Sequence, residues 1–296
     1  LLPLVLHFVL QRDRRGIAFA LSAVGISALA ALYLDALYDG WLRFYLFELP
    51  SRHRLQGPSA WVAFWIKDIA QPLAIGCLAA IYHLGSGRAE ERTQRRYYGL
   101  LALGMVGMSW LGRANPGGYS NVLFPAYAII AILFGIGVHE LFVAIGSVSA
   151  GLRSRWLGLL YAACLLQFAA LLYAPGDYIP SRADLLAGRE LVAKIRAIHG
   201  DVLIPSHSYL GAMAGKRTFA HRLAMADVER PSGGGRRGES TPLQQELLEA
   251  IRARRFAAIV LDRPYAKEID RYYVLQGRAL EDDAAFWPVT GWRTRP

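Results

Sequence analysis

Val122-Leu-Phe-Pro-Ala-Tyr-Ala-Ile-Ile-Ala-Ile-Leu-Phe-Gly-Ile-Gly-Val-His-Glu-Leu-Phe-Val-Ala-Ile145 is the stretch whose reading decides the fold. Before His139-Glu140 it carries no charged side chain. No polar stripe recurs at helical spacing, as it would on the helix of a soluble core. Its length matches the ~20 apolar residues that take an α-helix across a bilayer. Similar runs lie at 16–34, 61–84, 97–111 and 156–173. The pattern predicts a membrane α-helical bundle of about five transmembrane helices over residues 1–178. Residues 1–10 are apolar but too short to span, and no basic segment precedes them as in a signal peptide. They read as the stump of a helix, so the expected protein is longer at its N-terminus.

From 179 to 296 the pattern changes, and a C-terminal soluble α/β domain is expected. Residues 182–199 have helical periodicity, and Val202-Leu-Ile-Pro205 reads as a short buried strand. Residues 209–214 read as a helical turn and 217–220 as a second short strand. An amphipathic helix is expected over 243–255 and the clearest strand over Phe256-Ala-Ala-Ile-Val-Leu-Asp262. Gly233-Gly-Gly-Arg-Arg-Gly238, within 231–240, has the composition of a mobile loop.

Composition narrows the function classes. The 296 residues are 54% hydrophobic with a net charge of +10. That charge does not point to nucleic acid. From residue 181 onward 19 basic side chains are interspersed with 14 acidic ones, which suits a solvated surface beside a membrane. Much of the rest follows the positive-inside pattern. Segments 11–15, 85–96 and 146–155 hold nine arginines, whereas 35–60 and 112–121 hold four. The first set is therefore expected in the cytoplasm, and the tail periplasmic or extracellular, at a bacterial inner membrane. Cys77 and Cys164 both lie in apolar runs and suggest neither a disulfide framework nor a metal site.

Arg113-Ala-Asn-Pro-Gly-Gly-Tyr-Ser-Asn121 is the stretch richest in chemistry. Pro116 and Gly117-Gly118 force a turn between two helices. Arg113, Asn115, Tyr119 and Asn121 then offer donors where a lipid phosphate would lie, and the planar guanidinium suits phosphate. A plain helix–helix turn with an interfacial Arg and Tyr fits the same residues. Arg52-His53-Arg54 suits a lipid phosphate or a basic interfacial anchor. Lys67 beside Asp68, inside the second run, either reaches a phosphate or snorkels to the surface. Asp35, Asp39 and Glu48 read as solvated or capping acids, and His139-Glu140 as interfacial. His207, after a strand, lines a binding edge or stands on the surface.

The turn with Arg113, Tyr119 and Asn121, followed by an apolar helix opening at Pro125, resembles the late transmembrane motif of GT-C class glycosyltransferases. These are the protein mannosyltransferase and aminoarabinose transferase relatives of glycosyltransferase family 39. The resemblance covers most of the chain as layout and about a dozen residues as motif. Six residues separate Tyr119 from Pro125, more than is usual in that family. The resemblance implies transfer of a sugar from a polyprenyl-phosphate donor to an envelope glycan, lipid or protein acceptor. Taken with the residue chemistry above, the donor-phosphate contacts are expected at Arg52, His53, Lys67, Arg113 and Tyr119, with Asn115, Asn121 and His207 towards substrate. The family's acidic base belongs to an early outer loop, so the catalytic residue is expected before Leu1. A divalent metal is possible in such enzymes, although no ligand cluster demands one. An O-antigen ligase or polymerase and a non-enzymatic membrane-anchored scaffold stand as alternatives. Transport fits less well, because no interrupted helix pair is evident.

Overall fold

Lipid offers no partner to a backbone N–H or C=O, so an apolar run must satisfy these groups within itself. The long runs accordingly fold as helices. The computed structural model describes residues 2–53, 55–86, 92–229, 241–263, 267–289 and 295–296. Arg54, Arg88 and the glycine-rich segment 231–240 lie outside the described residues. The chain divides into two units, Leu1–Tyr173 and Ala174–Pro296.

The first unit contains α1 (Leu2–Gln11), α2 (Arg14–Leu37), the short α3 (Trp41–Arg43), α4 (Leu49–Arg52) and α5 (Pro58–Ala63). The long α6 (Gln71–Gly85), α7 (Arg92–Ala114), α8 (Phe124–Gly146) and α9 (Ala150–Ala170) follow. Four stretches are long and apolar enough to cross a membrane: Arg14–Leu37, Pro58–Gly85, Ser120–Gly146 and Ala150–Tyr178. That makes the chain, by length and composition, a multi-pass membrane protein. The fifth expected run, 97–111, does not reach the same apolarity. It lies within α7, where Tyr97, Tyr98, Ser109, Trp110 and glycines 99, 104, 107 and 112 dilute the aliphatic residues.

Between membrane helices close packing, rather than water exclusion, decides which faces meet. Phe64, Ile129 and Leu133 are fully or almost fully buried where α6, α7 and α8 pack together. Gly137 brings α8 so near α6 that a Cβ there would collide with the Ala79 carbonyl. The buried Ser109 hydroxyl accepts the Ala126 N–H at 3.0 Å, satisfying one of the free donors in the first turn of α8. α2, by contrast, is apolar on almost every face and barely buried, as expected of a helix wrapped by lipid.

The bundle has two distinguishable ends. At one, Gln56 meets Ala114 and Asn115 across the ends of α5 and α7. At the other, His83, Arg95 and Glu140 meet across the ends of α6, α7 and α8. α7 thus runs back along the bundle between α6 and α8. His7 packs edge-on against Tyr97 at 5.2 Å, so α1 and the arginines after it lie at the Glu140 end.

The expected α/β tail is overturned. Among its described residues the second unit has only two strands, β1 (Val202–Leu203) and β2 (Ala258–Ile259), paired in parallel. The rest is short helices: α10 (Arg182–Ala197), α11 (Tyr209–Met213), α12 (Arg222–Val228), α13 (Pro242–Arg252) and α14 (Ile269–Tyr272). Pro205 has no N–H to continue a ladder beyond β1. Residues 217–220 do not join the sheet. With only two residues paired, the apolar run 256–262 cannot extend as a strand. Leu191, Ile195, Val202 and Leu210 form one buried cluster, and Leu203, Ile251 and Phe256 another.

Asp184 ties α10 to the distant segment around Phe286. It accepts the Ser181 hydroxyl (2.6 Å) and N–H (2.7 Å), completing a capping box, and the Phe286 N–H (2.6 Å). These bonds, that from the Ser181 hydroxyl foremost, hold its carboxyl below the usual carboxylate range. A carboxyl that holds its proton less tightly when folded stabilises fully above its unfolded value of about 4. That contribution fades as pH falls through the lower, folded value. Asp184→Asn is therefore expected to flatten the acid limb of unfolding, read as denaturant midpoints from neutral pH downward.

Candidate functional site

Pro72 shapes the site before any charge does. A proline has no N–H, so the carbonyl four residues earlier, that of Asp68, loses its helical partner. The Tyr127 hydroxyl of α8 donates to that carbonyl instead, at 2.8 Å. Around it, residues Phe64–Ala70 widen into a π-helical turn, and Leu73 leaves helical geometry (φ −127°, ψ 27°). One turn on, the amide of Gln167 from α9 inserts into the ladder. It accepts the Gly76 N–H (2.9 Å) and donates to the Pro72 carbonyl (2.8 Å), two groups that would bond each other in a straight helix.

The widened turn carries Lys67 and Asp68. Asp68 Oδ2 accepts from Arg113 Nε at 3.0 Å, and Arg113 Nη1 donates to the Gly118 carbonyl at 2.9 Å. The pair is partly covered, with 35% of the Arg113 side chain and 18% of the Asp68 side chain exposed. Glycines permit the turn: Gly117 adopts φ +88°, and a Cβ at Gly118 would collide with the Gly112 carbonyl oxygen. Gln56 adds a strap, its N–H donating to the Ala114 carbonyl (2.8 Å) and its amide to the Asn115 carbonyl (3.0 Å). Trp61 and Trp110 lie edge to face at 5.6 Å, with Trp65 beside them.

The structure brings Lys67, Arg113 and Asn115 together at one end of the bundle, with Gln56 joining them to the segment after His53. Lys67 is exposed and forms no hydrogen bond or ion pair among the described residues. Asn115 donates to the Leu111 carbonyl (2.9 Å), closing the end of α7. Tyr119 and Asn121 are exposed beyond it. Arg52 pairs with Glu48 (3.5 Å) and lies over the Phe44 ring (5.0 Å), and the His53 ring donates to the Leu49 carbonyl (2.8 Å). Both are therefore engaged within their own turn. Asp35 caps the Arg43 N–H at 2.7 Å, and Glu48 also approaches Arg43. His207 belongs to the second unit, where its Nε2–H donates to Asp262 at 3.0 Å.

Three arrangements escaped the sequence reading. The Asp68–Arg113 pair had a visible signal, a carboxylate inside one apolar run and a guanidinium at the end of the next. Tyr127 and Gln167 had a weaker one, because a proline in an apolar helix demands substitute partners. The third is the Glu140 end, where the buried His83 ring donates to Glu140 (2.9 Å) and Arg95 approaches the same oxygen (3.4 Å). Among the described residues no three His, Cys, Asp or Glu side chains gather as metal ligands. The chain matches no protein-family model, no curated protein and no solved structure, so the chemistry of this site rests on its own residues.

Proposed function

We propose that the chain is part of an integral-membrane glycosyltransferase that moves a sugar from a polyprenyl-phosphate donor to an envelope acceptor. The reading places it in a bacterial inner membrane with the Arg113 end outward, supported by the arginines at the Glu140 end. The observation that carries it is that Asp68, next to Lys67 in the chain, fixes Arg113 and so sets two unlike cations at the same end of the bundle. Arg113 is fixed by Asp68 and Gly118 through Nε and Nη1, which leaves Nη2 for a ligand. Lys67, next to Asp68 in the chain, is exposed. One pre-set guanidinium and one mobile ammonium suit a phosphate at the lipid border. The half-exposed Trp65, beside Trp110, suits the isoprenoid or the sugar ring.

In such a transfer the bond from the anomeric carbon to the phosphate oxygen breaks and a bond to the acceptor oxygen forms. The acceptor's proton passes to a base that this chain does not assign. Negative charge grows on the departing phosphate, and Lys67 and Arg113 would stabilise it there. Asp68, hydrogen-bonded to Arg113 Nε, serves as the positioning residue rather than the base. The test is transfer of radiolabelled sugar from a panel of polyprenyl-phosphate sugars by the full-length protein in membranes. Arg113→Ala is expected to lower transfer at least ~100-fold, as for loss of one transition-state donor. No transfer from any donor by folded protein would point to a non-enzymatic scaffold.

A further inference from the structure

The second unit carries a face on α10 and α11 that the membrane site does not use. Arg182, Arg189 and Arg196 recur every seventh residue, so each lies only about 20° around α10 from the last. All three are exposed, and together they form a row about 21 Å long. The side chains of Arg182 and Arg189 form no hydrogen bond or ion pair among the described residues. Arg196 donates to the Met213 carbonyl at 3.2 Å and so ties the row to α11. Glu190, the acid nearest to the row on α10, is taken by Lys194 at 2.8 Å.

Beside the row is an open apolar cavity of about 380 Å3. Val192 and Leu210 form its buried floor, whereas Leu185, Tyr209 and Met213 on its walls are each more than half exposed. Asp184 is the one carboxylate of the lining among the described residues, and Ser181 and Phe286 engage both its oxygens. Large apolar side chains grouped in water mark a surface that something covers. The chain itself points to what does so. Only Ile179, Pro180 and Ser181 separate α10 from Tyr178, where the last membrane-length stretch ends. A face tethered so closely to a span meets lipid at high effective concentration.

We infer that this face docks on an anionic phospholipid surface, with Leu185, Tyr209 and Met213 in the headgroup border and the arginine row on the phosphates. A layer of laterally mobile phosphates meets the row at any spacing, whereas an acidic peptide needs carboxylates in register with it. A second copy of the chain, paired through the same face, would set arginine against arginine. The inference rests on the chain spanning a membrane and not on the transfer reaction.

The experiment places a nitroxide at Ala193→Cys, an exposed position within the row, in the full chain carrying Cys77→Ala and Cys164→Ala. The protein is held in nanodiscs of phosphatidylcholine or of an equal mixture with phosphatidylglycerol. Collisions with oxygen, which concentrates in lipid, and with a water-soluble nickel chelate report where the label sits. In the anionic discs oxygen collisions are expected to rise and chelate collisions to fall. Each arginine near an anionic surface strengthens contact about fivefold, so Arg182→Gln with Arg189→Gln should lower the docked-to-free ratio about 25-fold. Leu185→Gln with Met213→Gln should also return the label to water, through the apolar part of the contact. All four side chains are exposed, so the melting midpoint is expected to hold in both variants. A label in water in both discs, equal lipid contact in both, or lipid contact unchanged in both variants would overturn the inference. So would a label shielded from oxygen and chelate alike, the signature of a protein partner on that face.

Discussion

Arg113→Ala is expected to lower the stability of the bundle by about 2–3 kcal/mol, the largest effect of any single exposed or half-exposed side chain in it. Removing the guanidinium leaves the Asp68 carboxyl, 18% exposed, without its hydrogen bond. The loss falls below the ~3–5 kcal/mol of a fully buried pair because Arg113 is itself 35% exposed. The turn at Gly117-Gly118 also loses its tie, since Arg113 holds the Gly118 carbonyl. A double-mutant cycle separates these parts. Asp68→Asn with Arg113→Gln removes both charges and should cost less than Arg113→Ala alone, read as unfolding midpoints in detergent. If the two single variants and the double simply add, the pair is not coupled and the latch is an illusion of proximity.

Gln167→Ala is expected to cost about 2–4 kcal/mol, since it strands the Gly76 N–H and the Pro72 carbonyl inside an apolar span where no water replaces the amide. Gly76 cannot close on Pro72 unaided while Leu73 stays out of helical geometry. Pro72→Ala supplies the missing N–H to the Asp68 carbonyl and lets the helix straighten. In the Gln167→Ala background it should therefore recover part of the loss. Hydrogen exchange of the Gly76 amide gives a local readout: faster in Gln167→Ala, slower again in the double variant. A Gln167→Ala protein with unchanged exchange at Gly76 would remove the inserted amide from the account.

The membrane half was legible because its signal is one-dimensional. The run ending at Ile145 needs only length and apolarity to be read as a span, and α8 covers it. The run at 97–111 shows where that signal weakens. α7 lies within the bundle, and Tyr98, Ser109 and Trp110 face other helices, so polarity is tolerated there that a lipid-facing helix would not carry. The tail misled for a different reason. Helices over 182–199 and 243–255 were marked by their own periodicity and appear as α10 and α13. A sheet, however, depends on partners far apart in sequence. The apolar run 256–262 looked like a strand in isolation, yet finds only Val202 and Leu203 to pair with.

The site was half legible. Arg113 and Lys67 stood out as cations at a membrane border, and the glycine pair marked the turn between helices. What the sequence does not carry is the partner of each group. Arg52 and His53 have the same residue types as a phosphate clasp, but Glu48, Phe44 and the Leu49 carbonyl engage them within one helical turn. Asp68 and Arg113 are 45 residues apart and pair only because α7 folds back beside the second span. Gln167 is 91 residues from Gly76, and nothing in an apolar run announces which glutamine will mend a broken helix.

The central claim is that the Arg113 end holds a lipid phosphate. Native mass spectrometry of the full-length protein released from detergent, with polyprenyl phosphate and the matching polyprenol supplied in equal amounts, tests it most directly. The account predicts that the phosphate form is retained, that the alcohol is lost, and that Lys67→Gln reduces retention about tenfold without lowering the melting midpoint. Equal retention of the two lipids, or retention of the phosphate unchanged by Lys67→Gln and Arg113→Ala, would contradict it.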